Sequence, residues 1–197
     1  ISKYYPEGTI VSSGLSKWCG AGGWRLGFFA VPPKLKPILN MLKNLSSESF
    51  TAVSTPIQCA AIEAFESDHS EYLNKTTDIL SAVGIYVYEN LRSNKVLIHK
   101  PEGGFYLMPE FLESKFKTSR EMCEDILNKS GVAMLPGSDF GFNPSKMLAR
   151  LSFTDFDGEA FLKNTKSGKT PDKGDIEKFA PNIVEGTKRL VDWSKSL

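Results

Sequence analysis

The sequence predicts an α/β protein in which a strand-containing segment is followed by a long helix and an α+β lobe. Apolar runs typical of buried strands flank a glycine-rich loop within residues 9–31. The strongest helical pattern covers Glu71 to about Leu91, and beyond it short strand-like runs alternate with helical segments. Because that helix is long enough to connect two lobes, we expect two parts, residues 1–75 and 76–197.

Composition favours an ordinary folded protein. The 197 residues are 41% hydrophobic and 24% charged, which excludes a disordered or collagen-like chain. The 24 basic and 23 acidic residues leave a net charge of +1, so bulk charge predicts neither nucleic-acid nor membrane binding. The apolar runs are all shorter than the roughly 20 residues that span a bilayer. Three scattered cysteines argue against disulfides or a zinc site and favour a reducing, cytoplasmic location.

The first part is expected to contain two short strands and two helices. Thr9–Val11 has the pattern of a buried strand that runs into a turn at residues 12–14, and residues 26–31 form the second strand. Apolar positions at helical spacing follow Pro33. Residues 54–56, Ser-Thr-Pro, then supply the start of another helix.

The second part is expected to mix short strands with helices. The strand-like runs are residues 96–99, 105–108, 132–135 and 148–153, and the helical patterns cover 120–128, 158–163 and 176–193. The polar stretch 165–171 between the last two helices predicts an exposed loop.

Lys17 and Arg25 make up the first group of candidate functional residues. Lys17 follows a strand on a tight turn, and Arg25 comes eight residues later, beyond the glycine-rich residues 20–23. Small residues let a ligand approach the backbone, an amine in apolar surroundings suits Schiff-base chemistry, and a guanidinium suits a phosphate. Together they suit a phosphorylated aldehyde. A Ser-Lys pair alone is more often a surface lysine, and neither nucleotide-binding loop template fits.

The apolar surroundings of the amine would come from three neighbours of Lys17, namely Leu15, Trp18 and Trp24. His69 and His99 lack carboxylate partners at useful spacing, and we expect them to be surface and strand residues. The sequence therefore predicts no metal site.

Arg150 lies inside the apolar run of residues 148–153. Burying an arginine is costly unless it meets an anion, so the residue either binds one or points to solvent from the strand end. Phe105, in the run Glu102–Leu107, fits either the border of a pocket or plain core packing.

As a whole, residues 14–27 resemble the pyridoxal-phosphate attachment signature of class I/II aminotransferases of fold type I. The constrained positions that match are Gly14, Leu15, Ser16, Lys17, Gly20, Ala21, Gly23, Arg25, Leu26 and Gly27. The resemblance implies that Lys17 forms the Schiff base with pyridoxal 5'-phosphate and that Arg25 pairs with its phosphate. Because Gly14 replaces a serine of many members, a hydroxyl contact to the phosphate is absent or comes from elsewhere, with Ser13 as a candidate.

Residues 135–141 and 150–153 similarly resemble the late loop and strand of that family. This implies that Arg150 pairs with the α-carboxylate of the substrate and that Phe105 borders the substrate pocket. By the same resemblance, residues 1–75 are the end of the large cofactor-binding domain, and 76–197 are the connecting helix and small α+β domain.

The resemblance also implies an activity, transfer of an amino group from an amino acid to a 2-oxo acid in a homodimer. Only sixteen residues precede Lys17, whereas in the family much of the cofactor site comes earlier. We therefore expect the chain to be the C-terminal portion of such an enzyme, inactive alone; an organellar location stays open for the same reason. Two alternatives remain, a pyridoxal-phosphate-dependent lyase or synthase of the same fold and a non-catalytic sensing domain.

Overall fold

The chain divides into two units, Ile1–Leu73 and Asn74–Leu197. The structure is a computed structural model that describes residues 1–166 and 168–197. In the predicted exposed loop at 165–171, Ser167 lies outside the described residues. Lys166 and residues 168–170 are exposed as predicted, whereas Thr165 is half-buried and Pro171 is buried, so the prediction of exposure is wrong at both ends of the stretch.

The first unit is organised around a β-hairpin. Strand β1 (Val11–Gly14) pairs antiparallel with β2 (Gly27–Ala30), so that Val11 faces Ala30 and Gly14 faces Gly27. The second strand is confirmed. The first was predicted too early, because residues 12–14 belong to the ladder with β2 rather than to a turn.

Two helices and the start of a third complete this unit. They are α1 (Lys36–Ser49), α2 (Thr55–Glu66) and the first turn of α3 (Ser70–Leu91). As predicted, α2 begins after Ser54 with Pro56 in its first turn, where the missing N–H of proline costs no helical hydrogen bond.

Unit 1 buries little apolar surface. In residues 1–73, all described, the buried hydrophobic side chains are Leu15 and Ala61. Many large apolar side chains there stay exposed, among them Val11, Phe28, Phe29, Ile38, Met41, Leu45, Phe50, Ile62 and Phe65. Since a two-stranded hairpin is at best marginally stable alone, these faces call for further packing partners.

In its described residues, 74–166 and 168–197, the second unit contains five short strands and the remaining helices. The strands are β3 (Val96–Leu97), β4 (Tyr106–Leu107), β5 (Glu110–Phe111), β6 (Leu135–Pro136) and β7 (Ala149–Ser152). The helices are α4 (Ser119–Ser130), α5 (Gly158–Asn164), α6 (Lys173–Phe179) and α7 (Pro181–Lys195). Strands β4, β7 and β6 form an antiparallel sheet in that order, and β3 pairs with β5.

Most of these elements lie where they were predicted. Strand β3 ends at Leu97, so His99 is not the strand residue that was expected, and three larger differences remain. The predicted strand at 132–135 overlaps β6 only at Leu135, and β5 was missed. The predicted helix at 176–193 is two helices, since Ala180 leaves the helical region with φ −128° and ψ 50°. Pro181 is the reason, because a proline lacks a backbone N–H and disfavours helical geometry at the preceding residue.

The core of the second unit lies between α3, α4, α7 and the strands. Among its most completely buried side chains are Leu91, Phe111, Met122, Phe153 and Leu190. Phe111 meets Trp193 edge to face at 5.2 Å between ring centroids, a favoured aromatic geometry. In the described part of the chain, the helices are all too short or too polar to cross a membrane.

Gly84 on α3 shows how tight this core is. A Cβ atom at Gly84 would come 2.9 Å from the ring of the buried Phe153 and 3.3 Å from Pro101 Cγ. Gly84→Ala should therefore lower the free energy of unfolding by about 1 kcal/mol, since an overpacking cost of about 1–3 kcal/mol exceeds the helix-propensity gain of about 1 kcal/mol. Urea denaturation followed by circular dichroism measures the change.

Gly186 on α7 is the matched control, because the nearest atom to a Cβ there is Val132 Cγ2, at an ordinary 3.8 Å. Gly186→Ala should raise the free energy of unfolding by about 0.5–1 kcal/mol. An equal gain from both substitutions would contradict the tight contact at Gly84.

Candidate functional site

Lys17 lies on a turn closed by backbone hydrogen bonds. The turn covers residues 15–19, directly after β1. Leu15 N donates to Leu26 O at 3.2 Å, and Ala21 N donates to Leu15 O at 3.1 Å. Gly20, with φ +68°, donates to Lys17 O at 3.3 Å; such a φ favours glycine. The fully buried Leu15 anchors the turn, so the exposed Lys17 is carried by a fixed backbone.

The expected apolar surroundings of the amine are found only in part. Lys17 is exposed, although Leu15 is buried and Trp18 is half-buried. Trp18 packs instead against Phe65, at 5.6 Å between ring centroids. Trp18 and Trp24 line a cavity of about 300 Å³ beside α2, and Lys17 is not among its lining residues. The expectation that the three apolar neighbours bury the amine is therefore wrong.

Arg25 occupies a strained backbone position at the start of the return strand. Its φ of 54° and ψ of 41° are left-handed, which costs a non-glycine residue about 1–2 kcal/mol. The guanidinium is exposed, and Nη1 donates to Gly22 O at 2.9 Å. Strain of this kind is concentrated at functional sites, so Arg25 is a candidate ligand-binding residue on structural grounds as well.

Gly14 and Ser13 lie at the end of β1. A Cβ atom at Gly14 would come 2.7 Å from Leu26 O and 3.0 Å from Gly27 Cα, so the hairpin leaves no room for a side chain there. A side chain at this position, such as the serine that the resemblance would lead one to expect, would therefore require β1 and β2 to move apart. Ser13 is exposed and faces Phe28 across the ladder.

One β-hairpin therefore carries Ser13, Lys17 and Arg25. An amine suits an aldehyde, while a guanidinium and a hydroxyl suit a phosphate. The chemistry of this donor set fits pyridoxal phosphate.

His69 differs from its prediction as a surface residue. It is half-buried, and its Nε2 atom is buried without a hydrogen-bond partner in the described structure. Its ring lies 6.2 Å from that of Trp18. Nothing in the local sequence signals this burial. Across residues 1–166 and 168–197, no group of three or more His, Cys, Asp or Glu side chains could hold a metal ion.

Arg150 lies in β7 opposite Leu135 of β6, between the buried Ala149 and Leu151. Its side chain is half-buried, and its Cζ atom lies 4.3 Å from the ring centroid of Tyr106 and 4.4 Å from that of Phe140. Cation–π contacts of this kind contribute about 0.5–2 kcal/mol each. The alternative of a strand-end arginine that simply points to solvent does not describe this packed side chain.

Phe105 is half-buried against the core of the second unit, with its ring 4.4 Å from that of Tyr106. Tyr106 and Phe140 are the partners of Arg150 that sequence reasoning missed. Tyr106 could have been found from strand alternation, whereas Phe140 depends on a short 3₁₀ helix, Gly137–Phe140. Lys17 and Arg25 belong to the first unit, and Arg150 and Phe105 to the second.

The family model "Aminotransferase class I and II" matches residues 2–159. A probable N-acetyl-LL-diaminopimelate aminotransferase from Bacillus subtilis is 33% identical over 153 residues, which is 78% of this chain and 37% of that protein. An aspartate aminotransferase from Bacillus sp. strain YM-2 is 33% identical over 147 residues, 72% of this chain and 36% of that protein. The chain thus spans little more than a third of the length of these curated relatives.

Solved structures show the same fold. An alanine aminotransferase from Pyrococcus furiosus superposes with a TM-score of 0.73 at 26% identity, covering 95% of this chain and 42% of that one. An aromatic aminotransferase from Pyrococcus horikoshii also gives 0.73, at 24% identity, with 95% and 43% covered. The predicted α/β class with the type I fold of this enzyme group is confirmed.

Proposed function

The chain belongs to the class I and II aminotransferase family, and on that premise we propose that it forms the C-terminal portion of a pyridoxal-phosphate-dependent aminotransferase. The observation that carries the proposal is the hairpin that presents Lys17 and Arg25 with the complete signature of residues 14–27. The whole protein transfers an amino group from an amino acid to a 2-oxo acid as a homodimer. The three scattered cysteines of this chain favour a cytoplasmic location.

Lys17 is the catalytic residue of this proposal. Its Nζ amine would hold the cofactor through the aldehyde group. When it is not bound to the cofactor, the same amine would accept a proton from the α-carbon of the substrate as a base and give up a proton as an acid. When bound, pyridoxal phosphate would supply the electron sink for this chemistry. The exposed position of Lys17 on a hydrogen-bonded turn suits both roles.

Arg25 and Ser13 would hold the phosphate. Arg25 Nη1 is hydrogen-bonded to Gly22 O, and a charged phosphate oxygen would be a stronger acceptor for it. Gly23, two residues before Arg25, is exposed, and a Cβ atom built there would meet nothing within 4 Å.

Arg150 binds the α-carboxylate of the substrate, since its planar fork of N–H groups matches two carboxylate oxygens. Phe105 borders the same pocket through its neighbour Tyr106.

Covalent trapping tests the proposal. The chain is mixed with pyridoxal phosphate, reduced with borohydride and mapped by peptide mass. We expect the adduct to be concentrated on Lys17, ahead of the exposed Lys34 and Lys36 of the same unit, and to decrease in Arg25→Ala because the phosphate contact is lost. Turnover of amino acids is not expected from the chain alone.

Lys17→Arg is the control, because it keeps the positive charge but cannot form the adduct. Labelling spread over exposed lysines, and unchanged in Arg25→Ala, would contradict the assignment of this hairpin as the cofactor site.

A further inference from the structure

We propose that Tyr106 and Phe140 are positioning residues that orient the Arg150 guanidinium for binding a carboxylate. The inference deepens the proposed function and rests on it for the identity of the ligand, the carboxylate of an amino acid or 2-oxo acid. Its starting point is that the Arg150 Cζ atom lies within 4.4 Å of both ring centroids.

Aromatic rings and carboxylates contact an arginine through different parts of its guanidinium group. A carboxylate partner would engage the N–H groups of the arginine and neutralise its charge, whereas a ring attracts the guanidinium through its π face. In the described part of the chain, no carboxylate lies within ion-pair distance of Arg150 and no acceptor takes its side-chain N–H groups. The arginine is therefore held by its rings, with its five donors available to a ligand.

The fold brings Tyr106 to Arg150 through the sheet. Tyr106 of β4 faces Ser152 of β7, and Arg150 is two residues from Ser152, so all three side chains project from one face. Tyr106 and Arg150 are thus diagonal neighbours, a separation that aromatic and long side chains bridge.

Phe140 is brought to Arg150 by the 3₁₀ helix that follows β6. Gly137 N donates to Leu148 O at 2.7 Å, and a Cβ atom at Gly137 would come 2.9 Å from that oxygen, so only glycine permits this close approach. Arg120 Nη2 bonds to Asp139 Oδ1 at 2.6 Å. That ion pair holds the 3₁₀ helix beside Phe140. It also pairs Asp139, the residue before Phe140, with Arg120 rather than with Arg150.

Orientation has a consequence for binding. A bidentate pair needs the carboxylate in the plane of the guanidinium, and contacts of the guanidinium with two rings restrict that plane. Removing either ring should widen the range of orientations and weaken carboxylate binding by about two- to fivefold, the range expected for one partly exposed cation–π contact.

The test uses Nε–Hε signals of the ¹⁵N-labelled 197-residue chain. The chain has five arginines, and Arg150→Lys identifies the Arg150 signal by its loss. We expect that signal to show a ring-current shift and to move on titration with acetate, but not with ethylamine or with chloride at equal ionic strength. Arg92 is the internal control, because it is exposed and its Cζ atom lies 5.3 Å from the Tyr88 ring centroid.

Two substitutions at each of Tyr106 and Phe140 test the proposed positioning role. Tyr106→Leu and Phe140→Leu should each reduce the ring-current shift and weaken the acetate response two- to fivefold. Tyr106→Phe and Phe140→Tyr keep the rings and should retain both. Circular dichroism of each variant checks that the fold is intact, and a variant that has lost its fold is replaced by the corresponding Met variant, which has no ring and a similar length.

Unchanged acetate affinity in folded leucine or methionine variants would overturn the proposal. So would an Arg150 signal that does not respond to acetate in the unmodified chain. The titration needs no cofactor, so its outcome is separate from that of the trapping experiment. If Lys17 is not labelled but the Arg150 signal responds to acetate as expected, the cofactor assignment is overturned and the positioning role stands.

Discussion

Phe111→Ala is expected to lower the free energy of unfolding of the Asn74–Leu197 unit by about 3–5 kcal/mol, the usual cost of removing a buried phenylalanine. The side chain is 1% exposed and packs edge to face on Trp193. It also lies on β5 opposite Val96 of β3, so its loss opens a cavity where strand and helix meet. Urea denaturation followed by far-ultraviolet circular dichroism measures the effect.

Leu112, the next residue, is the matched control, since it is 52% exposed. Leu112→Ala should change the free energy of unfolding by less than about 0.5 kcal/mol, as surface substitutions usually do. Because domains are typically stable by only about 5–15 kcal/mol, Phe111→Ala could leave much of this unit unfolded at room temperature. A loss below 1 kcal/mol would show that Phe111 does not join these elements.

Helices with clear end signals could be predicted from sequence. The helix predicted at 120–128 corresponds to α4, where Thr118 Oγ1 accepts a hydrogen bond from Glu121 N and Gly131 ends the helix with φ +72°. Thr/Ser caps and terminal glycines are local signals. Strand β5 is only two residues long and could not be found, because its pairing with β3 is a tertiary contact that local sequence does not record.

The residues of the candidate site likewise fall into those predicted from local sequence and those whose contacts depend on tertiary structure. Lys17 and Arg25 were predicted from one continuous signature, and the structure places both on one hairpin. Arg150 was singled out because an arginine in an apolar run is energetically unusual, but its role as a carboxylate ligand was predicted only from the resemblance of residues 150–153 to the family's late strand. Phe140 was missed as its partner, since the contact depends on a 3₁₀ helix and on the register of β6 against β7.

The exposed apolar surface of the first unit bears on the proposed function. Phe29 of β2 and Met41 and Leu45 of α1 are more than half exposed, and residues 1–73 bury only Leu15 and Ala61 among their hydrophobic side chains. Curated relatives are more than twice as long as this chain, and under the proposed function further segments of the whole protein would cover these side chains. The hairpin with Lys17 is thus proposed to function within a larger domain.

Cys123 provides a prediction for alkaline pH. Burial, followed by the negative charge of Asp139, raises the pKa of its thiol from 9.0 to about 11. Above pH 9 the unfolded chain loses this proton while the folded chain keeps it, so the free energy of unfolding should fall as the pH rises to 11. The expected loss is about 2–3 kcal/mol, and below pH 9 this contribution is constant. Urea denaturation at half-unit pH steps measures it.

Cys123→Ala isolates this contribution, because tyrosines and lysines titrate over the same range in both proteins. The variant should be less stable than the unmodified chain at pH 8, since it leaves a small cavity in the core, but its stability should fall less steeply between pH 9 and 11. The difference between the two proteins should therefore shrink or change sign at high pH. Parallel curves would mean that the folded chain ionises this thiol as readily as the unfolded chain does, and hence that Cys123 is not shielded from water between α4 and the core.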